Sequence, residues 1–301
     1  MFEKLFKKNK KNEETAAASE KNSAEENTNK DSEVFNLTLE QIKREFSEKC
    51  VKISFDSIDE NIFASKLGGF PYLPKGESFP LDANQKQMQL LLQINCADLV
   101  KFDFCQLPQT GILQFFIAKD RYYGWDSENP TEQTGFKVRY FEQVDTGVSI
   151  EDVKARIVED EENKARSPIL AENIRLVFEE GISTISINNE NFDDIFVEKY
   201  NKNYGEDKIE TYFDLDNAFI DKITKDLGDF ESKTGGYPGF CQDDPRCATA
   251  DYSDYDYLLL QLESDSTNLQ FGDDGIANFF IPKNALQNAD FTKVLYNWDC
   301  Y

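Results

Sequence analysis

The chain has 301 residues, enough for one large domain or two ordinary ones, and long enough to bury a real core. Lysine and arginine number 33 against 57 aspartates and glutamates; the net charge of −24 opposes contact with nucleic-acid phosphate and favours cations or a basic protein as partner. Histidine is absent, which excludes Ser-His-Asp and Cys-His catalysis and every histidine-based zinc site.

The opening MFEKLFKKNKKN sets Phe2, Leu5 and Phe6 beside Lys4, Lys7, Lys8, Lys10 and Lys11. It reads as a solubilising start, or as a short helix making weak peripheral contact with an anionic membrane through residues 1–12. Residues 13 to about 33 are rich in Glu, Asn, Ser, Ala and Lys and cannot offset the entropy of ordering. Residues 1–36 are therefore expected to form a disordered tail, basic and then acidic, ahead of a domain over 37–301. No apolar run reaches the roughly 20 residues that span a bilayer, and the start lacks the apolar stretch of a secretory signal. Cys50, Cys96, Cys105, Cys241, Cys247 and Cys300 follow no disulfide or metal spacing and read as reduced thiols. A cytoplasmic protein is expected.

Thr38, with Gln41 three residues on, has the form of a capping box opening a helix over Leu39, Ile42 and Phe46. Val51 to Phe55 alternates as a strand. Strands are expected at Met88–Asn95, Ile112–Ala118 and Phe136–Glu142, the first apolar enough to be buried on both faces. Ser149 to about Arg166 reads as a charged helix, and Ile174–Glu179 with Ile182–Ile187 as a hairpin turning at Gly181. Helices near 191–203 and 212–227 follow, the second with Phe213, Ala218, Phe219, Ile223 and Leu227 on one apolar face. Strands near Tyr255–Glu263, Ala277–Ile281 and Phe291–Trp298 close the chain. The class is α+β, sheet-rich, without regular βαβ alternation.

Three blocks occur twice in the same order: SKLGGFP, LLLQIN and GILQFFI in the first half, SKTGGYP, LLLQLE and GIANFFI in the second. This is the pattern of an internal duplication forming two pseudo-symmetric halves, over about 51–145 and 231–301, with a helical and hairpin insert at about 146–230. The paired glycines Gly68-Gly69 and Gly235-Gly236, each followed by an aromatic (Phe70, Tyr237) and a proline, specify one loop shape. That loop is either a tight structural turn or, with Lys66 and Lys233, an anion-binding concavity. It lacks the spacing of a nucleotide-binding loop. Gln93 and Gln261 stand inside apolar strands, where a buried amide must find partners, so they read as a repeated clamp or as ligand contacts.

The second copy alone carries Gly272-Asp273-Asp274-Gly275, whose carboxylates offer oxygen ligands for calcium, although Asp-Gly is also an ordinary turn. No other cofactor is expected. Asp243-Asp244 and the run Asp251 to Asp256 are further oxygen-rich segments. Cys241 and Cys247 have no histidine to activate them.

The SK-x-GG-x-P segment at 65–71, LLLQIN with Asp98-Leu99 after it, LPQTGILQFFI at 107–117, KTGGYPGFCQ at 233–242 and FGDDGIANFFI at 271–281 together resemble the YwqG-like family of bacterial proteins. Phe271 stands where that family usually has tryptophan, and Ser232 where a histidine or other polar residue is frequent. The resemblance implies a duplicated, sheet-rich α+β fold, no established catalytic residues, and, from toxin–immunity gene neighbourhoods, an immunity-type role. Function is thus expected to be that of a binding or interaction module without catalysis, facing a basic protein. A carboxylate-based hydrolase and a calcium-stabilised structural domain are the alternatives.

Overall fold

The computed structural model describes residues 29–158, 166–228, 230–247 and 249–301. Residues 1–28, which carry the basic start and most of the expected tail, lie outside the described residues, as do 159–165 of the expected charged helix. Two compact units are formed.

The larger unit, Ser47–Glu190 with Leu227–Tyr301, is built on ten antiparallel strands. They are β1 (Ser47–Ile58), β2 (Lys66–Leu67), β3 (Gln89–Asn95), β4 (Ile112–Ile117), β5 (Phe136–Phe141), β6 (Ile174–Thr184), β7 (Lys233–Thr234), β8 (Tyr257–Glu263), β9 (Ile276–Ile281) and β10 (Leu295–Asp299). Their order is β10-β9-β8-β7-β1-β6-β2-β3-β4-β5. On either side of the β1–β6 pair the same sequence of strands runs outward, a two-residue strand followed by three longer ones. Registers agree too: Gln93 faces Gln114 where Gln261 faces Asn278, and a bulge falls between Leu90 and Leu92 where another falls between Leu258 and Leu260.

The two wings fold toward each other. Leu113, Phe115 and Ile117 alternate inward from β4, as Ala277, Phe279 and Ile281 do from β9, in one apolar core. The rings of Phe115 and Phe279 meet at 5.0 Å between centroids and those of Phe136 and Tyr296 at 5.2 Å. The intervening residues Ile112 and Phe116 face outward into a second core with Tyr72, Leu73 and Met88, under the loop that follows the first glycine pair. Leu258, Phe280 and Leu295 do the same in the other wing with Phe240. Strands β3, β4, β8 and β9 are thus covered on both faces, which is why they read as continuous apolar runs.

The expected hairpin at Gly181 is instead one unbroken strand, β6, paired along β1 with Gly181 opposite Cys50. Glycine is needed there for space, since a Cβ would lie 2.5 Å from Cε of Lys52. The expected long helix from Ser149 shortens to α2 (Ile150–Lys154), opened by a Ser149/Asp152 capping box. The last strand starts at Leu295 rather than Phe291.

The smaller unit takes in described residues 29–46 and 191–226. A helix over 29–45, α1, already contains Thr38 at its middle, so Thr38 does not cap it. Its side chain is buried because its hydroxyl accepts from Nδ2 of Asn203 (3.0 Å), while Gln41 exchanges hydrogen bonds with the same amide. Asn203 belongs to α3 (Phe192–Tyr204), which ends at Gly205 in the left-handed conformation. Phe192, Phe196, Tyr200 and Tyr204, three to four residues apart, form its buried face. Phe35 of α1 stacks on Phe219 of α4 (Asn217–Leu227) at 4.5 Å. Phe213 and Ala218, expected on the apolar face, are exposed; a 3-10 turn at Tyr212–Asp214 precedes α4 and buries Tyr212 in Phe213's stead. No helix among the described residues is long and apolar enough to cross a membrane.

Candidate functional site

The residues singled out by the repeats take equivalent places. Gln93 Oε1 accepts from Tyr72 N (2.8 Å) and Gln114 Nε2 (2.8 Å), and its Nε2 donates to the carbonyls of Ile62 (2.8 Å) and Ala64 (2.9 Å). Gln261 accepts from Gly239 N (2.7 Å) and donates to Glu231 O (2.9 Å). Both amides fasten the glycine-pair loops across the outer face of the sheet. Lys66 and Lys233 are wholly buried in the same layer. Nζ of Lys66 donates to Asn61 O (3.1 Å), and Nζ of Lys233 hydrogen-bonds Ser183 Oγ (3.2 Å). Burial lowers the pKa of Lys66 to about 8.

The glycine pairs have positive φ throughout, from 61° at Gly68 to 74° at Gly69 and 72–73° in the second copy. The N–H of Gly68 donates to Leu91 O (2.9 Å) and that of Gly235 to Leu258 O (2.8 Å), so these donors are engaged by the sheet. Gly235 and Gly236 line a cavity of about 360 Å³ with Cys105 and Tyr257, and Gly69 lines a smaller one. Burial raises the thiol pKa of Cys105 and the phenol of Tyr257, and raises Cys241 and Cys247 to about 12. Tyr237 is half-buried, its phenol raised by burial and by Glu48.

Asp273 and Asp274 are exposed; the Asp274 carboxylate accepts from side chains beside it, Gln270 Nε2 at 3.2 Å and Ser266 Oγ at 3.5 Å. Among the described residues no three acidic or cysteine side chains converge closely enough to hold a metal ion. Asp244 is buried against Arg246 (2.6 Å), whose guanidinium lies over the Phe280 ring.

A separate cleft of about 550 Å³ lies at the connection from β4 to β5, lined by Asp82, Asp120, Tyr122, Trp125 and Asp126. The connection is held at its neck by Ala118 N donating to Gly135 O (2.7 Å), with Gly124 at φ 80° so close that a Cβ would lie 2.0 Å from that same oxygen. Asp120 Oδ1 accepts from the N–H groups of Tyr122 (2.9 Å) and Gly124 (3.0 Å) and sets the turn. The edge strand of the other wing pins the loop. Trp298 Nε1 donates to Tyr122 O (2.6 Å), Tyr296 Oη to Tyr123 O (3.0 Å) and Tyr296 N to Pro130 O (2.9 Å). Tyr123 packs on Phe271 and Trp298, and Trp125 meets Trp298 edge-on at 6.4 Å. Tyr122 is left 47% exposed, and the guanidinium of Arg121 already sits 4.7 Å over its ring. Hydrogen bonds from Glu128 N and the Asn129 amide hold the Asp126 carboxyl below its ordinary pKa.

The sequence reading passed over this segment, KDRYYGWD, because it weighed what the two copies share. The usable signal was an aromatic triplet with one of only two tryptophans, set between Asp120 and Asp126 in one copy alone.

Such a fold, two like wings of one antiparallel sheet with loops clamped over its outer faces, defines a sheet-rich α+β domain whose exposed chemistry sits in its connections. The family model described as Domain of unknown function (DUF1963) matches residues 65–300, and the chain belongs to that family. No curated protein matches it.

Proposed function

We propose that this is a non-catalytic binding module for a basic protein segment, seated in the aromatic and acidic cleft of the β4–β5 connection. The observation that carries this reading is Tyr122, exposed and held rigidly beside Trp125 among three carboxylates. Aromatic rings on a pre-ordered support are the residues that anchor interfaces, and carboxylates around them select arginine or lysine. Arg121 over Tyr122 displays the same contact within the chain. The net charge of −24 adds long-range steering. Raised thiol pKa values at Cys105, Cys241 and Cys247 speak against a thiolate nucleophile.

The test is titration of the full chain with a short Arg- and Lys-rich peptide, followed by tryptophan fluorescence. Both tryptophans, Trp125 and Trp298, lie at this loop, so the signal is local. Binding should weaken steeply with salt and fall about tenfold or more in Tyr122→Ala. Asp126→Asn should weaken it more than Asp254→Asn, which removes the same charge from another exposed position. Binding indifferent to Tyr122 and to salt would overturn the reading.

The matched registers and bulges support descent of both wings from one duplicated module, and the shared motifs support placing the chain among YwqG-like members of its family. Six free cysteines support a reducing, cytoplasmic setting.

A further inference from the structure

Lys66 of β2 stands opposite Arg175 of β6, and Lys233 of β7 stands opposite Lys52 of β1, so Arg175 and Lys52 are equivalent. Each lies in a cleft built on the serine at the foot of the short strand. Ser65 O accepts from Leu176 N (3.0 Å) and Ser65 Oγ from Asn95 N (2.8 Å). Ser232 O accepts from Ile53 N (2.8 Å) and Ser232 Oγ from Glu263 N (2.9 Å). The frames agree, but their charges are arranged differently. In the second cleft Lys52 is ion-paired with Glu231. In the first, Ala64 stands where Glu231 stands in the repeat, and the Arg175 guanidinium has no hydrogen-bond or ion-pair partner among the described residues.

The first cleft, of about 550 Å³, is lined by the exposed Arg175 and Asp98 together with the half-buried Asp59 and Phe63. Asp98 is oriented by Ser65 Oγ, which donates to its Oδ2 (2.7 Å). The other cation at the rim, Lys101, is engaged by Phe178 O (3.2 Å). The wall is preformed: Asn95 Nδ2 holds Phe63 O (3.1 Å) and Asn61 Oδ1 holds Phe63 N (2.9 Å). A planar guanidinium without a partner matches a carboxylate by two parallel hydrogen bonds. Two carboxylates in the same cleft, within a strongly acidic chain, repel a dianion and attract an ammonium.

We propose that this cleft binds an α-amino acid, its carboxylate on Arg175, its ammonium toward Asp98 and Asp59, and its side chain against Phe63. The site is independent of the aromatic cleft and stands whether or not a basic partner binds there. Calorimetric titration of the full chain with L-alanine, L-leucine, succinate and inorganic phosphate tests it. An amino acid should bind, and the two dianions should bind at least about tenfold more weakly. Arg175→Gln should lower amino-acid affinity about tenfold or more, as loss of a charge-assisted pair does. Ala64→Glu, which supplies the carboxylate found in the sister cleft, should close the site equally, with the melting temperature of the wild type. That variant keeps the test valid should Arg175→Gln not fold. No binding by either amino acid, phosphate or succinate binding as tightly, or affinity that survives Ala64→Glu would each overturn the proposal.

Discussion

Gln93 and Gln261 stand at one register of the two wings, each facing an amide across the ladder and each bound to a backbone N–H of the loop that crosses above it. The loop atoms differ in number: Gln93 holds one loop N–H and two loop carbonyls, Gln261 one of each. Gln114 extends the first clamp by donating to Tyr72 O (2.7 Å), and Asn278 extends the second by donating to Gly239 O (3.0 Å). The glycine-pair motif and the strand motif therefore travel together because one is fastened by the other.

Replacing these amides by leucine tests how far each clamp carries stability. Leaving buried N–H and C=O groups unpaired costs about 1–3 kcal/mol each before relaxation. Gln93→Leu should lower the denaturant midpoint more than Gln261→Leu, with unchanged slope in both. Equal losses would mean that water replaces the missing partners.

Strands β3, β4, β8 and β9 were legible because burial on both faces leaves an apolar run that turns bound at each end. β2 and β7 were not: two residues followed by glycines and a proline carry no periodicity, and their pairing is decided by the sheet around them. Gly181 misled for a physical reason, since glycine serves both turns and close side-chain approach, and only the position of Lys52 tells them apart. Lys66 and Lys233 looked like surface cations beside a loop, whereas tertiary packing buries both. The loop of the aromatic cleft is hydrogen-bonded by β10, a relation between residues about 175 apart that no local pattern reveals.

Lys66 makes a signed pH prediction. Its pKa falls from 10.5 to about 8 on folding, chiefly through burial. Between pH 8 and pH 10.5 the unfolded chain therefore holds a proton that the folded chain has released, and stability rises with pH across that window. Wild type should gain on Lys66→Met by up to about 3 kcal/mol from the lower to the upper limit. Comparing the two proteins cancels the opposing titration of the buried thiols. A constant difference between them would show that Lys66 stays protonated throughout.

The thiol of half-buried Cys241 is raised to about 12 by burial and the Asp299 carboxylate, and that of Cys247, although the residue is exposed, to about 12 by partial burial and the carboxylates of Glu190 and Asp244. Alkylation by iodoacetamide at neutral pH should be slower at both than for free cysteine by one to three orders of magnitude, because the thiolate is the reacting form. Unfolding the chain should bring all six thiols to the ordinary rate. Rapid labelling of native Cys247 would place it in a more open setting than the one described.

Gly69 tests the shape of the first loop separately from its clamp. Its φ is 74°, and a Cβ would lie 1.9 Å from Oδ1 of Asn173, the amide that stands 3.5 Å from Nζ of Lys66. Gly69→Ala should therefore cost well over the roughly 1 kcal/mol of a left-handed alanine. Gly76, also at positive φ (88°) but with open space around it, supplies that reference value. Thermal melts of the two variants separate conformational strain from collision.

Trp298→Phe asks whether the aromatic cleft depends on being held in place. The substitution keeps an aromatic ring against Tyr123 and Phe271 but deletes the Nε1 donor to Tyr122 O. The loop retains its neck at Ala118–Gly135 and the two Tyr296 hydrogen bonds, so the fold should lose only about 1 kcal/mol. Affinity for the Arg- and Lys-rich peptide should fall several-fold although no residue lining the cleft has changed, because ordering Tyr122 would then be charged to binding. Trp125 becomes the sole tryptophan, and its emission should shift to longer wavelength in the free protein and return toward the wild-type position on adding peptide. Unchanged affinity would mean that the cleft is ordered without the second wing, and the rigid presentation of Tyr122 would then reside in Asp120 and the Gly124 neck alone.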